Sequence, residues 1–374
     1  LETAPDCSIG LEPSPNRACK TPSAARRKPK SNMLRNRWAR VRRLDGSPVR
    51  PLHWDPMEKT LDCVLCGSCV ADLLVRPVSL EEPIGGGNLF AADPIQLATG
   101  GIVSNSGVAM ARLGMKVAAF SYVGQDVWGG LVRQRLEAEH VDCDRLLPHP
   151  TAPTSTTAVL VDPSGERSFA HCVGAPKLMD KALFLMHLDL FARSRMALVG
   201  YYSLMPDLEG DLPEVFAAIR GTGCRTALDA AGNGGAMEPL ARILPHLDVY
   251  CPSLAEAAHQ TGTSDPQAIL RTYRDCGATG LLGVKLGARG ALLSPAAGQY
   301  VAVPCVPPPG AIVDTTGAGD CFYAGLLSGL LRGMGPREAG LLGAAAGACS
   351  VTALGATAGI RSFEDTARLA ALGG

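Results

Sequence analysis

Apolar and polar positions divide the chain into an unpatterned start and a long alternating body. From Leu61 onward, apolar runs of strand length are separated by stretches with the 3.6-residue spacing of helices. The strand-like runs are Leu61–Val70, Lys116–Val123, Thr156–Val161, Arg167–Cys172, Ala197–Gly200, Thr226–Asp229, Val249–Cys251, Leu281–Lys285 and Ala291–Leu293, with one more ending at Val313. Helical spacing covers a stretch closed by Gly114 (Val108, Met110, Ala111, Leu113), Val127–Glu139, the residues after Asp320, Pro336–Ala348, and Phe363 onward. Between Leu178 and Val306 the two patterns alternate, which predicts a mostly parallel sheet with helices on both faces. Asp162-Pro163-Ser164-Gly165 is a turn sequence between two strand runs and predicts a hairpin.

Length and charge refine this picture. At 374 residues the chain can bury a large core, as one α/β domain with an appendage. Residues 1–59 carry 13 Lys/Arg against 6 Asp/Glu, leaving 22 against 29 for the remainder. Arg17 to Arg43 holds only positive charges and few apolar residues, so 1–59 reads as a basic, disordered extension: a tail, a transit peptide, or no part of the working protein. Met57 stands just before the first strand, and the functional protein is expected to begin near it, with the folded domain at 60–374. The mildly acidic body argues against nucleic acid as main partner. Leu1–Gly10 holds acids and no apolar core, so no secretory signal is expected there. Thirteen cysteines, an odd number scattered through apolar runs, suit buried thiols in a reducing cytoplasm.

Two apparent motifs are set aside. Cys63, Cys66 and Cys69 have an iron–sulfur-like spacing, but Leu73 stands where the fourth ligand would, and on a strand Cys66 faces away from the other two. Ala339–Ile360 is long and uncharged, yet glycine-broken and rich in Ala, Ser and Thr. It reads as a small-residue helix packed on the sheet rather than a membrane span.

The chemistry concentrates in Val313-Asp314-Thr315-Thr316-Gly317-Ala318-Gly319-Asp320-Cys321-Phe322. A tight loop of small residues leads into a helix, whose free N–H groups and dipole favour an anion. A carboxylate there would repel the anion, which is tolerable if Asp320 takes a proton from an attacking hydroxyl. That reading is phosphoryl transfer to an alcohol; the bland one makes Asp320 a helix N-cap and the glycines a plain turn. No Gly-Lys-[Ser/Thr] follows, so the loop is not a Walker P-loop, and Gly85-Gly86-Gly87 lacks the strand–helix context of a dinucleotide fingerprint.

Asp-Thr-Thr-Gly-Ala-Gly-Asp followed by a small-residue helix resembles the C-terminal signature of the PfkB/ribokinase family of sugar and nucleoside kinases. Thr99-Gly100-Gly101-Ile102-Val103-Ser104-Asn105 resembles its N-terminal signature, and the likeness spans roughly residues 60–370. The resemblance implies a ribokinase-like three-layer α/β/α sandwich with a small β-sheet lid, from about 73–98 and 154–173. A lid would exclude water that competes for the phosphoryl group.

It also implies roles. Asp320 is the base, and the N–H groups of Gly317, Ala318 and Gly319 hold the transferred oxygens. Asp72, Gly100, Gly101 and Asn105 orient the acceptor, although Asp72 also reads as a solvated turn acid. Ile102 stands where ribokinases proper have Lys, which counts against ribose itself. Lys285, Gly287, Gly290 and Thr316 serve the nucleotide; Lys285 reads equally as a solvated strand end. Glu256 organises Mg²⁺ through water, with Ser253 in place of the family's Asn, and Asp314 shapes a monovalent-cation (K⁺) loop. Asp126, in a Gly-x-Asp turn, is expected to be an N-cap. ATP and a small sugar are the expected substrates, with no nucleic-acid or membrane partner and a homodimer through lid strands by analogy. A nucleoside kinase would need an aromatic bed, for which Phe90, Phe169 and Tyr201 are candidates; a regulatory homologue without catalysis is the third reading.

Overall fold

The structure, a computed structural model, describes residues 59–80, 87 and 89–372. The basic extension, Met57, Gly85 and Gly86 therefore lie outside the described residues.

Seven parallel strands form most of a nine-stranded sheet: β1 (Leu61–Gly67), β4 (Val117–Gly124), β5 (Asp142–His149), β8 (Ser194–Gly200), β9 (Arg225–Asp229), β10 (Val249–Tyr250) and β11 (Leu281–Lys285). Two antiparallel pairings, of β12 (Ala291–Ser294) with β11 and with β13 (Val301–Val303), close one edge. The order is β13-β12-β11-β10-β9-β8-β1-β4-β5. Chain order runs one way from β1 to β5 and then resumes on its other side at β8, so the strand order reverses between β1 and β8. Ligands of open α/β sheets bind at such a reversal, outside the carboxyl ends of the strands.

Alternation along each central strand feeds two cores. Cys63 and Leu65 of β1 face a core with helices Gly101–Arg112, Ala318–Leu331 and Pro336–Ser350. Val64 and Cys66 face a second core with residues such as Phe184, Phe216, Ile243 and Leu270. Burial on both faces explains the near-continuous apolar run of β1. A separate four-stranded sheet has the order β3-β2-β6-β7, from β2 (Val70–Val75), β3 (Gln96–Gly100), β6 (Ser155–Val161) and β7 (Arg167–Cys172). The Asp162 turn forms as expected: its Oδ1 accepts from the N–H groups of Ser164 and Glu166 (2.8 and 2.9 Å).

Three expectations need correction. Leu61–Val70 is not one strand: β1 ends at Gly67, whose φ of +125° and close approach to the Gly200 carbonyl admit no side chain, and Val70 already belongs to the small sheet. Residues up to Val313 form no strand. Ile312 and Val313 are 65% and 53% exposed, and the Val313 N–H donates to the Val351 carbonyl (2.8 Å) instead of to a neighbouring strand. β5 and β13 were not foreseen, because the charges of Asp142-Cys-Asp-Arg and the brevity of Val301–Val303 hide their pattern. Cys63, Cys66 and Cys69 are buried and free, and among the described residues no group of three His, Cys, Asp or Glu could hold a metal.

Of the uncharged run Ala339–Ile360 only the part up to Ser350 is helical, within helix Pro336–Ser350 laid along Ala318–Leu331, and residues 351–360 form turns. Among the described residues no helix is long and apolar enough to cross a membrane. Glycines bring the two backbones together. A Cβ on Gly343 would meet the Phe322 carbonyl oxygen at 2.7 Å, and one on Gly325 would meet the Gly343 Cα at 2.8 Å. Gly343→Val is therefore expected to cost about 1–3 kcal/mol by overpacking, read as a lower midpoint of thermal unfolding. Gly130→Ala, in helix Val127–Ala138 with open space around it, should gain about 0.5–1 kcal/mol. Equal tolerance at both positions would mean that the helix contact does not demand glycine.

Candidate active site

Carboxyl ends of adjacent parallel strands supply most of the polar groups in the crevice. Lys285 ends β11, Asp229 ends β9, Tyr201 follows β8 and Ser68 follows β1. Ser253 follows β10 and bridges Lys285.

Asp320 lies at their focus. It is the third residue of helix Ala318–Leu331, whose N-cap is Gly317 at φ +71°. Its carboxylate caps nothing, so the N-cap reading does not hold. Oδ2 instead accepts from Asn105 Nδ2 (2.7 Å) and from the Tyr201 hydroxyl (2.8 Å). Burial pushes the Asp320 carboxyl upward; Asn105, Lys285 and Tyr201 oppose this, Glu256 adds to it, and the net position is above the ordinary carboxylate range. The Ser106 hydroxyl donates to the Asp320 backbone carbonyl (3.1 Å) and ties the two helices together. Tyr201 holds a left-handed backbone (φ +61°), rare for a residue with a side chain, and its N–H donates to the Asp229 carbonyl (3.1 Å).

Asn105 is 4% exposed, and its Oδ1 is a buried acceptor with no partner. An orphan of this kind at a crevice suits a hydroxyl donor from a ligand. The glycine pair before it fits the chain against the end of β1: a Cβ on Gly101 would collide with the Ser68 carbonyl, and one on Gly100 with the Asp72 carboxylate. Asp72 belongs to the small sheet rather than to a loop after β1. Register places Asp72, Thr157 and His171 in one cross-strand row of β2, β6 and β7. Thr157 Oγ1 and His171 Nδ1 are 3.0 Å apart, and Thr157 bonds Asp72 as well. Burial raises the Asp72 carboxyl, which Thr157 and His171 partly offset.

At the helix N-terminus the first intrahelical bond runs from the Cys321 N–H to the Gly317 carbonyl (2.9 Å). The N–H groups of Gly319 and Asp320 precede that ladder. The Ala318 N–H turns to the Thr315 carbonyl (3.3 Å), so it is less free than the sequence suggested. Thr316 is exposed and receives a bond from Arg167. Gly287 has open space around it, whereas Gly290 is pressed against the Val303 carbonyl and has a packing task.

Lys285 is not a solvated strand end. Its side chain is 12% exposed and its ammonium pairs with Asp229 (3.1 Å), close to where Gly319 would carry a side chain. Burial opposes its charge, but Asp229, Glu256 and Asp320 together hold it protonated. Burial drives Asp229 upward; Lys285 restrains it, while Asp320 and Glu256 push it up again, to about 7. Glu256 forms a capping box with Ser253: its Oε2 accepts the Ser253 N–H (2.6 Å), and Ser253 Oγ accepts the Glu256 N–H (3.3 Å). Asp314 receives Arg167 Nη2 (2.6 Å) and the N–H groups of Thr316 and Gly355 (both 2.8 Å), so a guanidinium faces it where a monovalent cation was expected. Asp126 is an N-cap, accepting from the Gly129 N–H (2.9 Å).

Sequence reasoning missed Asp229, Thr157, His171 and Arg167, and took Tyr201 for a wall. Asp229 had a signal, an acid at the end of a predicted strand. Removing Lys285 leaves Asp229 buried without its counter-charge, and breaking such a pair costs about 3–5 kcal/mol. Lys285→Met should lower the unfolding midpoint more at pH 8 than at pH 5. The Asp229 carboxyl already stands at about 7 and moves further up without the ammonium, so at pH 5 it carries its proton in both proteins and no uncompensated charge is buried, whereas at pH 8 the variant loses the counter-charge the wild type has. An equal loss at both pH values would show that Lys285 balances some other charge.

Residues 61–362 match the family described as pfkB family carbohydrate kinase. The ribokinase of Haemophilus influenzae is 29% identical over 317 residues, covering 83% of this chain and 98% of that protein. The fructokinase of Klebsiella pneumoniae is 29% identical over 328 residues, covering 81% and 97%. Among solved structures, Arabidopsis thaliana ribokinase complexed with ribose and ATP superposes with a TM-score of 0.70 at 22% identity, over 83% of this chain and 98% of that one; this last likeness speaks for the fold.

Proposed function

The chain belongs to the pfkB family of carbohydrate kinases, and from that premise we propose that it moves the γ-phosphoryl group of ATP onto a hydroxyl of a small sugar. The observation that carries the reading is the junction of Asn105, Asp320 and Tyr201 at a helix N-terminus, with a buried unpartnered acceptor on Asn105. A sugar presents a hydroxyl that is both donor and nucleophile, and this junction offers an acceptor beside a carboxylate.

In the proposed reaction Asn105 and Asp72 hold the acceptor. Asp320 takes the proton of the attacking hydroxyl as the new O–P bond forms and the bond to the β,γ-bridging oxygen breaks, releasing ADP. N–H groups of Gly319 and Asp320 face the transferred oxygens, and Lys285 sits where its charge offsets theirs. Tyr201 and Asn105 orient the carboxylate. A Mg²⁺ bound with ATP would offset the charge of the phosphates. Glu256, with one carboxylate oxygen in the capping box, is the residue to hold it through water, where it would offset phosphate charge.

The relatives include both ribokinase and fructokinase, so the particular sugar is open to assay. One observation favours a sugar over a nucleoside: among the described residues no ring pair joins Phe90, Phe169 or Tyr201 into an aromatic bed.

ADP release from ATP·Mg²⁺ with hexoses, ribose, keto-deoxy sugar acids and nucleosides tests the reading. Turnover is expected with a sugar, and Asp320→Asn should lose about 10²–10⁴ in rate. Turnover that survives Asp320→Asn would remove Asp320 as base; turnover with nucleosides alone would sink the sugar assignment.

The pH profile gives a second check. A base works only when deprotonated, so kcat should rise with pH along a limb above the ordinary carboxylate range. Tyr201→Phe removes a hydrogen bond that lowers the Asp320 carboxyl, so its limb should move to higher pH. A limb that stays in place would mean that a different group titrates.

A further inference from the structure

Arg167 lies in β7 of the small sheet, yet its guanidinium ends on the anion loop. Nη2 pairs with Asp314 Oδ1 (2.6 Å) and Nη1 donates to the Thr316 hydroxyl. Both partners are shielded: the Arg167 side chain is 20% exposed and that of Asp314 2%. A charge-assisted pair so shielded is stronger than one on an open surface.

Asp314 is a hub. Oδ1 also accepts the Thr316 N–H, one residue before Gly317, and Oδ2 accepts the Gly355 N–H. Burial works against this carboxylate, but the Thr316 and Gly355 amides and Arg167 hold its carboxyl below the ordinary range. The Gly355 segment leads back to the small sheet, because Leu354 packs on Leu74, Val159 and Val161. It also backs the loop, since Ala356 lies where Gly317 would carry a side chain. Two paths therefore run from the small sheet to the same loop, one ionic through Arg167 and one apolar through Leu354. Beside them is an open surface groove of about 400 Å³, lined by Arg76, Asp93, Asp162, Arg167, Val313 and Leu354.

We propose that Arg167 is a positioning residue that couples the small sheet to the anion loop, fixing Asp314 and Thr316, and through them the N–H groups of Gly317 to Asp320. This rests on the phosphotransfer reading for its purpose, but the coupling itself is a property of the protein without substrates.

Amide hydrogen exchange on the full chain tests the coupling without catalysis. Peptides covering 155–172 and 311–320 are followed in the wild type, Arg167→Ala, Arg167→Lys, Asp314→Asn and the double variant Arg167→Ala/Asp314→Asn. In Arg167→Ala exchange should rise in both segments, by about tenfold in 311–320, while the interior of helix Ala318–Leu331 keeps its protection. Arg167→Lys keeps the charge but not the fork, so it should restore part of the protection. The double variant should be no faster than Asp314→Asn alone, since the two residues act along one path. Faster exchange confined to 155–172, or additive effects in the double variant, would overturn the coupling. Absence of kinase turnover with the exchange pattern intact would reject the phosphotransfer reading and leave the coupling standing.

Discussion

A carboxylate buried at the head of a buried helix is costly unless it is held, and the rest of the site follows from how Asp320 is held. Asn105 and Tyr201 reach the same oxygen, one from the helix after β3 and one from the end of β8. That requirement fixes where helix Gly101–Arg112 crosses, and Gly101 allows the crossing by clearing Ser68. It also accounts for the left-handed backbone of Tyr201: strain at one residue aims a hydroxyl that an extended backbone would send elsewhere.

A second group of charges rests on the same crevice. Lys285 is one cation among Asp229, Asp320 and Glu256; the three acids keep it protonated, and the charges of its neighbours add to burial in raising Asp229 and Asp320. Phosphates entering such a site meet a positive charge already desolvated and in place, which is the condition under which fixed charges act most strongly. Ser253 shows how a departure from a family pattern is absorbed: it caps its helix and keeps Glu256 at the crevice through the capping box.

How much of this could be read from the chain differs by kind of feature. The alternation of strands and helices placed β8, β9, β11 and β12 within a few residues, because burial on both faces makes central strands apolar throughout. The loop from Asp314 to Asp320 announced itself by glycines next to acids. Boundaries failed where backbone geometry overrode hydrophobicity: at Gly67, where a near-continuous apolar run bends into a second sheet, and at Val313, where apolar residues lie exposed.

What the sequence alone determined is the layered α/β body, the glycine loop with its carboxylate, and the family to which both belong. These are local facts, carried by periodicity and by small residues at short spacing. Only the tertiary structure decided which distant groups meet: Asn105 and Tyr201 on Asp320, Asp229 on Lys285, Arg167 on Asp314. Those partners are 215, 119, 56 and 147 positions apart. No period in the chain records such a pairing; it exists because the sheet brings the carboxyl ends of its strands to one edge and the small sheet folds back over them.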